Sequence, residues 1–182
     1  ANKTNKKDNV AMLIYNEKLS VSPITTHLPL KQVHKYLSKK KIITHVKLIH
    51  KFYKKKVKKN PRMAITGLNP HCESNYNSSE EDKIIIPAIK LLVKKKYKVK
   101  GPFPADTIFL KDKLKNFDVI IGMYHDQVLA PIKTLYGFNA INITLGLPFI
   151  RVSPDHGPNS KMLGKNLSDP RSLVKALKFL DN

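Results

Sequence analysis

Disulfides are the first thing this sequence cannot build. One of its 182 residues is cysteine, Cys72, which excludes an internal disulfide framework and fits a reducing compartment. Arginine is nearly missing as well: of 34 basic residues only Arg62, Arg151 and Arg171 are arginine. No apolar run approaches the roughly 20 residues a membrane span requires. Residues 1–9, ANKTNKKDN, are polar and basic without an apolar centre, so they are not a secretory signal and are expected to be flexible. Acidic residues number 13. The first residue is Ala1 rather than Met, so the chain is expected to be processed or to be part of something longer. A cytoplasmic protein with no membrane partner is the expectation.

What is abundant is lysine, and the net charge is +21. Such an excess can mark a nucleic-acid or anionic-membrane surface. The shortage of arginine argues against sequence readout, because bidentate base contacts favour the guanidinium fork. The lysine runs 39–41, 54–59 and 94–98 fall at the ends of amphipathic patterns, where cations suit the helix dipole. A solvated lysine decoration is therefore expected, with nucleic acid an unlikely partner.

The length suits one domain with a substantial core. Short apolar runs alternate with helical periods. Strands are expected at 10–15 (VAMLIY), 62–66, 98–100, 117–121 and 140–144, and one at 19–25 that Pro23 should confine to an edge or an end. Helices are expected from about Lys31, over 43–57, from Ser78-Ser79-Glu80-Glu81-Asp82 to about Tyr97 with a break at Pro87, after residue 127, and over 171–180. Gly101-Pro102-Phe103-Pro104 and residues 153–170 are expected loops. This alternation implies an α/β layered fold with a mostly parallel sheet.

In such sheets ligands bind beyond the carboxyl ends of the strands. His71 follows one strand end; His125 and Asp126, within Met123-Tyr124-His125-Asp126-Gln127, follow another; Asn142 lies at a third, with Arg151 just beyond. Lys133 stands two helical turns after His125, so both can face one mouth. Two imidazoles and a carboxylate suit a borderline divalent cation such as zinc, and Lys133 with Arg151 suits a phosphorylated or carboxylated substrate. Taken singly, each is more simply a loop residue or a turn.

Six stretches together carry a resemblance: TTHLPL (25–30), GLNPH (67–71), GPFPADT (101–107), MYHDQ (123–127), GFNAINITLGLPFIRVSPDHG (137–157) and GKNLSDP (164–170). In order and spacing they are similar to the 4-hydroxythreonine-4-phosphate dehydrogenase family, from about Val10 to the end. The resemblance implies an α/β/α fold of the isocitrate and isopropylmalate dehydrogenase type, and an NAD- or NADP-dependent oxidation with decarboxylation of 4-hydroxythreonine 4-phosphate in pyridoxal 5′-phosphate synthesis. It also implies a divalent metal (Zn, Mg or Co) in a site shared across a homodimer. By motif position it implies His71 and His125 as metal ligands, Asp106 and Asp126 flanking them, and Lys133, Asn142 and Arg151 as substrate-binding residues. Lys133, Asp106 and Asp126 are the catalytic candidates. His156, Gly157 and Gly164 are implied on the adenosine side of the nucleotide.

The sequence also departs from the family. A third metal histidine is expected in a segment preceding this chain, roughly the first two-fifths of a typical member. His27, His34, His45 and His50 receive no ligand role, and the latter three are expected at the surface or in packing. Cys72-Glu73-Ser74 stands where the family usually has a glycine-rich continuation, which should cost backbone freedom. Pro158 after His156-Gly157 is unusual. The expected function is the C-terminal portion of such an enzyme, with little turnover alone; the alternative is a non-catalytic remnant.

Overall fold

A computed structural model describes residues 9–72, 79–157 and 160–181. Residues 1–8, Glu73, Ser74, Ser78 and Pro158 lie outside that description. The strands are β1 (Ala11–Tyr15), β2 (Ser20–Thr25), β3 (Met63–Thr66), β4 (Val99–Phe103), β5 (Val119–Tyr124), β6 (Ile141–Leu145) and β7 (Arg151–Pro154). The helices are α1 (Val33–Tyr36), α2 (Lys39–Phe52), α3 (Ile86–Lys94), α4 (Lys111–Leu114), α5 (His125–Tyr136) and α6 (Arg171–Leu180). The strands form a single sheet in the order β4-β3-β5-β2-β1-β6-β7. β4, β3, β5 and β2 run parallel; β1 is antiparallel to β2 and β6, and β7 to β6. β2 through β6 therefore end on one edge, the carboxyl edge, and β7 starts there.

The sheet is buried on both faces because alternate residues serve two cores. Ile65 and Ile121 join one with Leu13 and Ile143. Ala64 and Ile120 join the other with Ile14 and Val21. α2 covers the first face through Ile42, Val46 and Ile49, a helical stripe that begins after Ser38 accepts the Lys41 N–H at 3.2 Å. α5 covers the second face through Val128, Leu129 and Ile132. His45 is inside the first layer, where burial, helped by Lys41, lowers its pKa to about 4. Its expected packing role holds. His34 is exposed, and His50 packs edge-on against Tyr97 at 5.0 Å.

Three expectations are corrected. β2 is a central strand, not an edge, although it contains Pro23. Continuing the antiparallel register from Ile14↔Val21 sets Pro23 opposite Met12, whose carbonyl accepts the Ser22 hydroxyl at 2.7 Å. The side chain thus replaces the donor that proline lacks. The supposed loop at Gly101-Pro102-Phe103 belongs to β4, the edge strand where proline is tolerated. There Gly101 crosses β3 so closely that a Cβ would lie 2.4 Å from the Ile65 oxygen. The loop expected at 153–170 gives up its first two residues to β7, Arg151–Pro154, a strand the sequence concealed beside Gly, Pro and Asp. Pro87 behaves as expected: it sits in the first turn of α3, after a wide turn over Glu81–Ile85 that Ser79 caps through the Asp82 N–H.

At the opposite edge a carboxylate organises the strand starts. Asp118 accepts from the Arg62 backbone at 2.8 Å and side chain at 3.1 Å, and from Lys59 at 2.7 Å. Burial alone would raise its pKa, but these donors outweigh that and hold it below the usual carboxylate range. A depressed acid stabilises the fold above its unfolded pKa, and that stability is lost as pH falls through the lower folded value. Asp118→Asn should therefore cost about 2 kcal/mol at neutral pH. Urea unfolding at pH 7 and pH 3 checks this: the gap between wild type and variant should shrink in acid.

Candidate active site at the carboxyl edge

The edge is assembled by one side chain. Gln127, the third residue of α5, is buried and turns back to the sheet. Its Oε1 accepts from the Met123 N–H at 2.7 Å and the Thr66 hydroxyl at 2.9 Å, while its Nε2 donates to the Gly67 carbonyl at 2.8 Å. The end of β3 is thereby tied to the turn from β5 into α5. Gly122 leaves the room: a Cβ there would meet Val128 at 2.5 Å and the Gln127 oxygen at 3.1 Å. The MYHDQ segment is thus two strand residues followed by the first turn of α5, longer into the strand than the sequence suggested.

A second carboxylate shapes the neighbouring loop. Glu81 accepts from the backbone N–H groups of Leu68 at 2.7 Å and Asn69 at 2.8 Å, and from the Asn69 side chain at 2.8 Å. Burial pushes its pKa up, yet these bonds prevail and lower it. The loop delivers His71 to the surface with φ of 58°, followed by Cys72 at 57°. Two successive left-handed residues that are not glycine are strained; the rest of the expected glycine-rich continuation, Glu73 and Ser74, lies outside the described residues.

His125 is half-exposed at the start of α5. Its Nδ1 lies 2.6 Å from Asp126 Oδ1. In a neutral ring, a hydrogen bond from Nδ1 to this carboxylate leaves the Nε2 lone pair to face a ligand. Beside it stands His27, which the sequence left without a role. The two rings lie 5.7 Å apart, and both line a recess of about 160 Å³ with Thr25, Tyr124 and Asp126. The position follows from topology: β2 and β5 are parallel neighbours paired Thr25↔Tyr124, so whatever follows each strand must meet. His27 reaches the recess by adopting φ of 51°. The signal was available in TTHLPL, but only with knowledge that β2 is central.

Lys133 has a partner of its own. Its Nζ donates to the Asp155 carbonyl at 2.8 Å and carboxylate at 3.1 Å, and sits 5.0 Å over the Phe138 ring. Burial raises the Asp155 pKa, against the pull of Lys133 and, more weakly, of His125 and His156. Asp155 is itself fixed by the Ser172 hydroxyl, which accepts its N–H at 2.7 Å and donates to the Ala140 carbonyl at 2.5 Å. Lys133 is thus the direct partner of one buried carboxylate. Arg151 donates to Thr144 at 2.8 Å across β6 and β7. Asn142, on the same face of β6, has a buried Oδ1 with no hydrogen-bond partner among the described residues.

Other candidates stand apart. His71 follows β3, the strand beside β5, but among the described residues no group of three His, Cys, Asp or Glu side chains is poised to hold an ion. Asp106 is exposed in the turn after β4 on this same edge, and Asp126 is exposed beyond its bond to His125. His156 is exposed, edge-on to Phe138 at 6.3 Å. Gly157 and Gly164 have open space where a Cβ would stand, and Gly164 has φ of 74°. Nothing described encloses these three into a nucleotide cradle. No described helix is long and apolar enough to cross a membrane.

Fold and edge define a class: an α/β/α protein whose strand ends place two imidazoles and a carboxylate around a small recess, with Lys133 and Arg151 apart from it on α5 and β7. The chain belongs to the family described as pyridoxal phosphate biosynthetic protein PdxA, which matches residues 1–180, and its fold is of the isocitrate/isopropylmalate dehydrogenase type. It is 46% identical over 171 residues to a 4-hydroxythreonine-4-phosphate dehydrogenase of Sulfurihydrogenibium, and 39% identical over 169 residues to a putative D-threonate 4-phosphate dehydrogenase of Oceanobacillus iheyensis. The match covers 93% and 92% of this chain but 52% and 51% of those proteins. Among solved structures, a 4-hydroxythreonine-4-phosphate dehydrogenase of Klebsiella pneumoniae superposes with a TM-score of 0.80 at 35% identity, over 94% of this chain and 53% of that one. The chain spans about half the length of the relatives it matches.

Two substitutions test the construction of the edge. Gln127→Leu keeps the volume but strands the Met123 N–H and Gly67 carbonyl, and should cost about 2–4 kcal/mol in urea unfolding. Cys72→Gly should stabilise by up to about 1 kcal/mol if the left-handed backbone is the dominant effect; a loss of stability would show that the Cys72 side chain matters more.

Proposed function

We propose that this chain carries the metal- and substrate-binding edge of a 4-hydroxythreonine-4-phosphate dehydrogenase. The observation that carries the reading is the His27–His125 pair in one recess, with His125 oriented by Asp126. A carboxylate-held imidazole with a free Nε2 beside a second imidazole is a donor set that suits a divalent ion such as zinc, magnesium or cobalt. His27, His125 and, from the adjacent strand end, His71 are the proposed ligands, in a homodimer in which both subunits contribute to the site. His27 thereby takes the place for which an upstream histidine was expected.

In the proposed reaction the secondary alcohol of 4-hydroxythreonine 4-phosphate is oxidised, its hydride passing to NAD or NADP and its hydroxyl proton to the protein. The β-keto acid then loses carbon dioxide to give 3-amino-2-oxopropyl phosphate. A bound divalent ion would supply acidification of the alcohol and stabilisation of the enolate, and a nicotinamide would supply the hydride acceptor. The chain's own residues do the rest. Arg151 and Lys133 pair with the substrate's anionic groups, and Asn142 Oδ1, an acceptor without a donor among the described residues, takes a substrate N–H or O–H. Lys133 Nζ, an ammonium held by Asp155, can give a proton to the enolate that loss of carbon dioxide leaves. Asp126 orients His125, and Asp106 faces the same edge from β4. His156, Gly157 and Gly164 offer an open surface to the adenosine side.

The Oceanobacillus relative supports a second reading, in which the substrate is D-threonate 4-phosphate, a hydroxy acid phosphate without the amino group. A covalent chimera separates them: this sequence replaces the matched half of the Sulfurihydrogenibium relative, and NAD(P) reduction is followed with each substrate and added metal. Turnover should favour 4-hydroxythreonine 4-phosphate, and His27→Ala or His125→Ala should each lower kcat/KM about 100-fold or more. Preference for D-threonate 4-phosphate would support the second reading. Indifference to both histidine changes would overturn the site.

A further inference from the structure

The amino edge of the sheet, where Asp118 sits, gathers cations with few acids among them. Tyr53 anchors the wide turn Tyr53–Val57 there: its hydroxyl lies 2.9 Å from the Ser20 hydroxyl and 3.3 Å from the Asp118 carbonyl. The exposed Lys54, Lys55 and Lys56 of that turn are therefore placed at the starts of β2 and β5. The tail of α3 reaches the same edge, because Tyr97 packs on His50 of α2 and the Met63 N–H donates to the Lys98 carbonyl at 2.8 Å. Lys98 thus stands beside Arg62, and Arg62 beside Asp118. Two lysine runs distant in sequence, 54–59 and 94–98, converge in this way on the starts of β4, β3 and β5. Asp118 is the one carboxylate this group contains, and its side chain is 8% exposed and already engaged by Lys59 and Arg62. Glu17 stands at the margin, near Lys56. The carboxyl edge differs: Lys31, Lys35 and Lys83 there are interspersed with Glu80, Asp82, Asp106 and Asp126.

We propose that this amino edge binds the phosphate backbone of a nucleic acid without reading its sequence. Composition alone favours a solvated decoration; placement changes the weight. A decoration would leave acids and lysines mixed at both edges, whereas here the acids cluster at one edge and two lysine runs meet at the other. Lysine is a point charge that suits phosphate oxygens and needs no planar fork. The shortage of arginine, which argues against base readout, is therefore no obstacle to backbone contact. An anionic membrane fits less well. Among residues 51–62 and 93–100 the one exposed large apolar side chain is Val93, at 52%, and insertion into a lipid surface calls for an apolar face. The surface lies at the end of the sheet away from the His27–His125 recess, so the inference does not depend on the catalytic reading.

The test must separate a built surface from net charge, since any chain at +21 attracts polyanions in low salt. Fluorescence anisotropy follows the chain binding a labelled RNA strand and a DNA duplex of about 20 nucleotides, from about 50 to 200 mM salt. Binding should persist at about 150 mM salt, with log K falling against log salt at a slope of about −4 or steeper. One variant combines Lys54→Gln, Lys55→Gln, Lys94→Gln and Lys98→Gln at the amino edge. A second combines Lys31→Gln, Lys35→Gln, Lys39→Gln and Lys40→Gln and has the same net charge. All eight side chains are exposed, so both variants should keep the parent Tm. The first should bind about tenfold or more weakly and flatten the slope by about 3, while the second changes affinity by less than about twofold. Equal losses in the two variants would overturn the proposal and leave net charge as the cause. It is also overturned if binding vanishes at about 150 mM salt, or if vesicles of phosphatidylglycerol and phosphatidylcholine are bound where both nucleic acids are not.

Discussion

The candidate site depends on the amide of Gln127. Strands that run parallel in a sheet share no loop, so nothing in the backbone alone fixes how the segments leaving β3 and β5 stand to each other. Gln127 supplies that constraint with three hydrogen bonds, to Met123, Thr66 and Gly67, in a site buried from water. In such surroundings each unmade bond would cost the full desolvation of its partner. The same interaction sets the start of α5 and therefore the position of His125, and it sets the exit of β3 from which His71 is carried. Glu81 completes the arrangement by holding the next two amides of that exit.

Three buried carboxylates show how the fold divides its electrostatics. Asp118 and Glu81 lie where backbone and side-chain donors converge, and are held ionised. Asp155 has Lys133 but fewer bonds, and burial wins, so its proton is held more tightly than in the unfolded chain. Its contribution to stability is present in acid and fades as pH rises through its raised pKa. The two well-satisfied acids shape the sheet and a loop. The less satisfied one is paired with Lys133, which together with His125 and His156 only partly offsets the effect of its burial. The lysines of the runs 54–56 and 94–96 are exposed at helix ends, as their pattern suggested, whereas Lys39, Lys40 and Lys41 form the first turn of α2 and not the tail of a helix, against expectation.

Much of this was legible in the residues. Period and turn chemistry located nearly every strand and helix, and the strand-end rule alone brings His71, His125, Asp126, Asn142 and Arg151 to one edge. What the sequence hid has identifiable causes. Pro23 masked a central strand, because the compensating hydroxyl of Ser22 is recognisable only once Met12 is known to lie opposite. That single misplacement concealed His27, whose meeting with His125 follows from β2 lying beside β5. β7 was hidden by loop-like composition, and the engagement of Lys133 with Asp155 is a contact across 22 positions that no local pattern reveals.

The account's central claim is that His27 and His125 share one recess with the His125 Nε2 free. Side-chain nitrogen NMR of the ¹⁵N-histidine-labelled chain, recorded before and during titration with zinc, tests it most directly. The account expects His125 in the Nδ1–H tautomer at rest, and its Nε2 resonance moving together with that of His27 as the ion binds, while His34 stays still. A resting Nε2–H tautomer at His125, or an ion that moves His34 or His50 and leaves the pair unchanged, would contradict it.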